Sequence, residues 1–112
     1  MTKYHAKKTP CTNGHMHASK REAMRCNDLH LLQRAGEISG LQTEPRFTFA
    51  VEGRQVMMRN GQAARYTADF SYVEKGRKVV EDVKSSATDT EAFAVRWAFA
   101  RAMWPQIDWR LT

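Results

Sequence analysis

The chain has 112 residues, 42% of them hydrophobic and 27% charged, which suffices for one packed core and matches an ordinary globular protein. No apolar run approaches the roughly 18 residues a membrane span requires, so membrane-spanning and low-complexity disordered classes are excluded. Eighteen Lys and Arg against 12 Asp and Glu leave a net charge of +6, a field that draws in polyanions, with nucleic acid the foremost candidate partner.

Residues 1–14 contain Lys3, Lys7, Lys8, Pro10 and Asn13-Gly14 with almost no bulky apolar side chains. They read as a basic flexible arm ahead of a single domain over 15–112. The basic start is not followed by an apolar signal-peptide core, and two cysteines, Cys11 and Cys26, are too few for a secreted disulfide scaffold. A cytoplasmic protein with reduced, unbridged thiols is expected. Cys11, His15, His17 and Cys26 are soft metal ligands, but their spacing matches no common zinc finger or ribbon, and Cys26 falls on a helix face needed for the core. These four therefore read as structural or exposed residues.

Ser19-Lys20-Arg21-Glu22 has the form of a capping box, and helix-compatible residues run from 19 to 35 before Gly36 stops them. Glu22, Cys26 and Leu29 share one face of that helix, which aims Glu22 inward; closure of the capping box accounts for Glu22 equally well. Beyond 36–40, treated as connection, the period changes to two: Phe47, Phe49 and Val51 alternate with Arg46, Thr48 and Ala50, so a strand begins near Pro45. Glu52-Gly53-Arg54 turns the chain, a second extended stretch covers 55–59, and Asn60-Gly61 signals a hairpin that returns through one strand over 66–73. A turn over 74–77 leads to a strand over 78–84, a polar loop over 85–89, a second helix capped by Thr90 or Asp89 and reaching Trp104, and a last short strand over 107–111.

The fold class is therefore mixed α/β (α+β), a central mixed sheet flanked by helices. The second helix carries two apolar stripes, Phe93, Trp97, Ala100 and Trp104 beside Val95, Phe99, Ala102 and Met103. So wide an apolar arc has more to bury than one sheet face offers, and a homodimer is expected. The tryptophans read as core, not as base-stacking platforms.

Strand alternation sets Asp82 and Lys84 on one face and Glu81 on the other, which selects Asp82 as the functional acid. A hairpin loop of two residues, Lys75-Gly76, or a symmetric four, 74–77, pairs Ser71 with Val80 and Asp69 with Asp82; a three-residue loop with a bulge at Gly76 sets Asp69 diagonal to Asp82. Either way two carboxylates converge, and like charges facing across a sheet call for a compensating partner such as Mg2+ or Mn2+. Lys84 adds positive charge beside them. Lys7, Lys8, Lys20, Arg21 and Arg25, with Arg96 and Arg101, are candidate phosphate contacts, and no helix carries a base-reading pattern, so recognition of DNA backbone or shape is expected.

The arrangement Glu22, Asp69, Asp82-x-Lys84 on a helix, three strands, helix, strand order resembles the PD-(D/E)xK nuclease superfamily, whose restriction-endonuclease-like core is αβββαβ. More closely, Ser19-Lys20-Arg21-Glu22-Ala23, Gly36-Glu37-Ile38 with Leu41, Pro45-Arg46-Phe47, Tyr66-Thr67-Ala68-Asp69-Phe70 and Val80-Glu81-Asp82-Val83-Lys84 resemble a family of short phage and prophage endonuclease-like proteins of unknown function. These blocks cover most of residues 19–84. His17, where a large apolar residue is expected, and Ser85, where Gly is common, depart from that pattern. The resemblance implies a metal-dependent DNA endonuclease, and a dimer holding two such sites on a two-fold axis would suit branched or junction DNA. Asp69 and Asp82 would hold the metal, Lys84 would orient or activate water, and Glu22 would complete the metal shell. The alternative is a non-catalytic nucleic-acid-binding module or an inactive nuclease relative.

Overall fold

The computed structural model describes residues 9–11, 14, 16–17, 19–84 and 90–112. Two short strands, β1 (Thr9–Pro10) and β2 (Met16–His17), pair antiparallel ahead of helix α1 (Lys20–Arg34). Ser19 caps α1 by accepting the Glu22 N–H at 3.1 Å, one of the donors a helix start leaves without a partner. The helix stops in a Schellman arrangement: Glu37 N donates to Leu32 O at 2.9 Å and Gly36 N to Gln33 O at 3.0 Å. This places Gly36 at φ 80°, where glycine alone is unstrained.

Strands β3 (Ser39–Thr43), β4 (Arg46–Thr48), β5 (Ala50–Val51), β6 (Arg54–Gln55), β7 (Arg65–Thr67), β8 (Phe70–Glu74) and β9 (Arg77–Asp82) follow, then helix α2 (Glu91–Met103) and strand β10 (Asp108–Leu111). The central sheet has the order β10-β9-β8-β3. It is mixed, since β10 runs parallel to β9 while β8 is antiparallel to both its neighbours. Read along the chain, its elements and the helices run α1, β3, β8, β9, α2, β10, the helix, three strands, helix, strand order expected from sequence.

Two details differ from the expected element positions. The first sheet strand is β3, not the segment after Pro45. Its mostly exposed Ser-Gly-Leu-Gln-Thr sequence has no apolar alternation because it is the sheet edge and offers little surface to the core. The stretch from β4 to β7 is an excursion in which β4 pairs with β7 and β5 with β6. The strand expected over 66–73 is broken at Ala68-Asp69: Ala68 N bonds Pro45 O at 3.0 Å and Glu44 N bonds Asp69 O at 2.9 Å, so β7 serves the excursion and β8 the main sheet.

The β8–β9 loop is the two-residue Lys75-Gly76, with both residues at positive φ (50° and 76°), as a tight hairpin turn of the right twist requires. It fixes the register Ser71 to Val80 and Phe70 to Glu81. Alternation along β9 then feeds two cores. On one face Val79 joins Phe70, Tyr72 and the α1 residues Ala23, Cys26 and Leu29; on the other Val80 joins Tyr66, Phe49 and Ala100 of α2, with Phe93, Trp97, Trp104 and Trp109 packed around them. The tryptophans are thus core residues, Trp97 lying edge-on to Trp109 at 5.6 Å. Val95 and Phe99, the second stripe of α2, stay about half exposed.

Part of the segment expected as an arm over 1–14 is described, and it packs on the domain. Cys11 is buried in the α1 core beside Cys26, because a thiol packs as a small apolar group, and β1 is tied down through β2. Among the described residues, no helix is long and apolar enough to cross a membrane.

Candidate active site

Asp82 ends β9 on the α2 face and is only 4% exposed. Its Oδ2 accepts the phenolic proton of Tyr66 in a short hydrogen bond and lies 3.7 Å from Lys84 Nζ. Lys84 in turn sits over the Phe93 ring, 3.5 Å from its centroid, a cation–π contact that holds the ammonium at the mouth of the site. Asp69 occupies the break between β7 and β8. Its Oδ2 accepts the Val83 N–H at 2.7 Å, so the carboxylate takes over the ladder bond where β9 ends.

Asp69 interacts electrostatically with both Asp82 and Glu22, which makes it the middle member of a row of three carboxylates. Burial is the main cause that lifts Asp69 to about 6; Glu22 pushes the same way, while Asp82 and the Val83 amide hold it back. Asp82 rises to about 7, again chiefly through burial, then through its interaction with the Asp69 carboxyl, opposed by Tyr66 and Lys84. The two carboxyls influence one another's protonation and titrate as a coupled pair. Burial and the Asp82 carboxylate raise the Tyr66 phenol, which remains a donor.

The Glu22 backbone N–H is capped by Ser19, while its carboxylate reaches out of the helix turn to His17 Nδ1 at 2.7 Å and adds to the charge around Asp69. Asp69 and Asp82, without Glu22, line a cleft of about 420 Å³ together with Lys84, Arg65, Thr67 and Arg96 among others. Oxygen donors beside an open, basic-rimmed cleft fit a hard divalent ion such as Mg2+ or Mn2+, which would offset the repulsion between the two carboxylates.

The expected phosphate contacts separate. Lys20 and Arg21 are exposed at the start of α1, and Arg21 Nη1 reaches the Lys84 carbonyl at 3.0 Å. Arg25 does not join them. Its guanidinium is committed to fully buried Glu81, closely through Nε and at 3.1 Å through Nη2, and Tyr72 OH also donates to Glu81 at 2.7 Å. An unpartnered Glu81 would be costly in that core, so Arg25 reads as a structural counter-ion. Lys7 and Lys8 lie outside the described residues, as does His15. Arg101 is exposed but lines a different hollow with Arg77 and Asp108.

Sequence reasoning missed Tyr66 and Arg65. Tyr66 stood inside a recognised block, yet nothing in its spacing told of a hydroxyl directed at Asp82; Arg65 carries no pattern of its own. It also missed that Glu81, correctly excluded from the site by parity, is the centre of a buried polar network.

No curated protein and no solved structure matches the chain. A family model described as a protein of unknown function, DUF1064, matches residues 1–110. With that match spanning nearly its full length, including every residue of the carboxylate row, the chain belongs to the DUF1064 family.

Proposed function

We propose that this protein is a Mg2+- or Mn2+-dependent endonuclease of the PD-(D/E)xK kind, phage-related, that hydrolyses phosphodiester bonds in DNA by recognising backbone or shape. The observation that carries the reading is the row Glu22–Asp69–Asp82 with Lys84 3.7 Å from Asp82 beside a cleft lined by Arg65 and Arg96. A surface charge cluster would leave carboxylates solvated, whereas these are buried against one another at an energetic cost that a bound cation offsets.

A bound divalent ion supplies Lewis-acid stabilisation of the phosphate and lowers the pKa of a coordinated water. Asp69 and Asp82 furnish the oxygens that hold it, with Tyr66 and the Val83 amide fixing which carboxylate oxygens are already engaged. Lys84 is placed to orient the attacking water and to offset charge on the phosphate oxygens. Arg65 and Arg96 would bind flanking phosphates without reading bases. The half-exposed Val95 and Phe99 on α2 support the homodimer, which would set two such sites on a two-fold axis suited to paired cuts.

The alternative is a DNA-binding module or inactive relative. Incubating the protein with supercoiled, linear, single-stranded and four-way-junction DNA, with and without Mg2+ or Mn2+, separates the two. Metal-dependent cleavage of at least one substrate is expected. Binding to all of them with no cleavage under any metal would establish the alternative.

A further inference from the structure

A second cluster of metal-binding residues lies beside the carboxylate row and is independent of the nuclease reading. Cys11, His17 and Cys26 come from three separate pieces of chain: the end of β1, β2 and the middle of α1. Their ligand atoms all lie within 4.8 Å of one another. All three are deeply buried, with Cys26 fully enclosed and Cys11 and His17 at 7% and 4% exposure. Two thiols and an imidazole are soft donors, the set that selects zinc over Mg2+. Tetrahedral zinc, with bonds of about 2.3 Å to sulfur and about 2.0 Å to nitrogen, sets its ligands roughly 3.5–3.8 Å apart. The cluster therefore needs to close by no more than about 1 Å, well within rotamer adjustment of three short side chains.

The surroundings argue the same way. Ala23, Leu29, Ile38, Phe70 and Tyr72 share the core of the two cysteines, and the His17 ring is 6.0 Å from that of Phe70. An imidazole in so apolar a setting is unfavourable unless its nitrogens are used. His17 Nδ1 is held at 2.7 Å by Glu22 Oε2, which makes Nδ1 the donor and Nε2 the nitrogen that a neutral imidazole would offer to a metal. A carboxylate bonded to the far nitrogen of a histidine is the arrangement that orients histidine ligands at zinc centres and raises their basicity. The departure noted at His17, where a large apolar side chain was expected, then has a physical reason.

We infer that Cys11, His17 and Cys26 bind one structural Zn2+ that clips the β1–β2 segment onto α1, with His17 passing its orientation to Glu22. A water or another donor takes the fourth position. Two-residue strands are too short to hold the segment by backbone pairing alone, and a metal clip is a common remedy in a domain this small. The zinc would thereby also steady Glu22, the end member of the carboxylate row.

The test uses the full chain purified under reducing conditions. Zinc per chain is measured by elemental analysis, and the metal-stripped protein is titrated with Co2+ as a spectroscopic substitute. One zinc per chain is expected, with a sulfur-to-cobalt charge-transfer band and the intense visible bands of tetrahedral Co2+. Cys11→Ser and His17→Phe should lose the stoichiometric zinc and, for Cys11→Ser, weaken the charge-transfer band. Asp82→Asn should keep both, separating this site from the acidic one, and Glu22→Ala should weaken zinc affinity about 10–100-fold. Absence of retained zinc together with no charge-transfer band on the wild-type protein would overturn the inference. So would full zinc occupancy in Cys11→Ser, or a Cys11–Cys26 disulfide in the freshly isolated metal-free protein. The wild-type cobalt spectrum decides the matter even if a variant fails to fold.

Discussion

Replacing Asp82 by Asn should stabilise the metal-free protein at neutral and alkaline pH, although it removes a proposed metal ligand. In the unfolded chain this carboxyl titrates at its ordinary 3.8, whereas burial and Asp69 move it to about 7 in the folded state. The folded state thus binds the proton more tightly. The stabilisation from this group is fully present below the unfolded value and is lost as pH rises from about 4 through about 7. A displacement of that size corresponds to about 4 kcal/mol at most, and since the titration is coupled to Asp69 and Lys84 compensates part of the charge, about 2 kcal/mol is the working figure. An Asn keeps an oxygen for Tyr66 and carries no charge, so it mimics the protonated acid. In urea denaturation with EDTA at pH 8, Asp82→Asn should unfold at a midpoint higher by on the order of 1 M. At about pH 3.5, below the unfolded value, the two proteins should agree to within about 0.5 kcal/mol, and by about pH 5 wild type should already trail the variant by about 1.5 kcal/mol. Adding Mg2+ at tenfold its dissociation constant should stabilise wild type by about 1.4 kcal/mol and leave the variant unmoved. A less stable Asp82→Asn at pH 8 in EDTA, or a wild type that gains on the variant between pH 5 and pH 8, would refute the reasoning that the pair is buried and short of a cation.

Lys84→Met, which keeps the stem over Phe93, should lower the cleavage rate by about 10²–10⁴-fold with DNA affinity within a few-fold of wild type, as read by single-turnover cleavage and gel shift. Arg25→Met should destabilise the fold by about 3 kcal/mol in urea by leaving Glu81 buried without its cation, at every salt concentration alike. Arg65→Ala and Arg96→Ala should each weaken DNA binding across sequences and reduce the slope of log affinity against log salt by about one contact; an unchanged slope would remove that residue from the interface. Phe99→Glu should convert the expected homodimer to monomer by sedimentation, and an unchanged wild-type monomer would discard the dimer.

What could be read in advance followed from local rules with few alternatives. The Lys75-Gly76 turn narrowed the hairpin to two registers, one of which is observed, alternation along β9 separated Asp82 from Glu81, and Ser19 and Gly36 bracketed α1. What escaped depended on tertiary partners. β3 has no apolar rhythm because an edge strand buries little, and the break at Ala68-Asp69 arises from backbone bonds to Glu44 and Pro45 that no local pattern announces. Arg25 looked like its neighbours on a basic helix turn, and only the depth of Glu81 in the opposite core distinguishes it. The Cys–His–Cys group was set aside because its spacing fits no common zinc motif. A site assembled from a strand end, a two-residue strand and a helix has no fixed spacing to recognise.

The most direct measurement of the central claim is Mn2+-dependent cleavage of supercoiled and four-way-junction DNA by wild type and Asp82→Asn, with DNA binding followed in parallel in Ca2+. Wild type should nick or resolve the substrate only when Mn2+ or Mg2+ is present, and Asp82→Asn should bind with similar affinity while cutting at least about 10³-fold more slowly. Undiminished cutting by Asp82→Asn, or cutting by wild type in EDTA, would contradict the account.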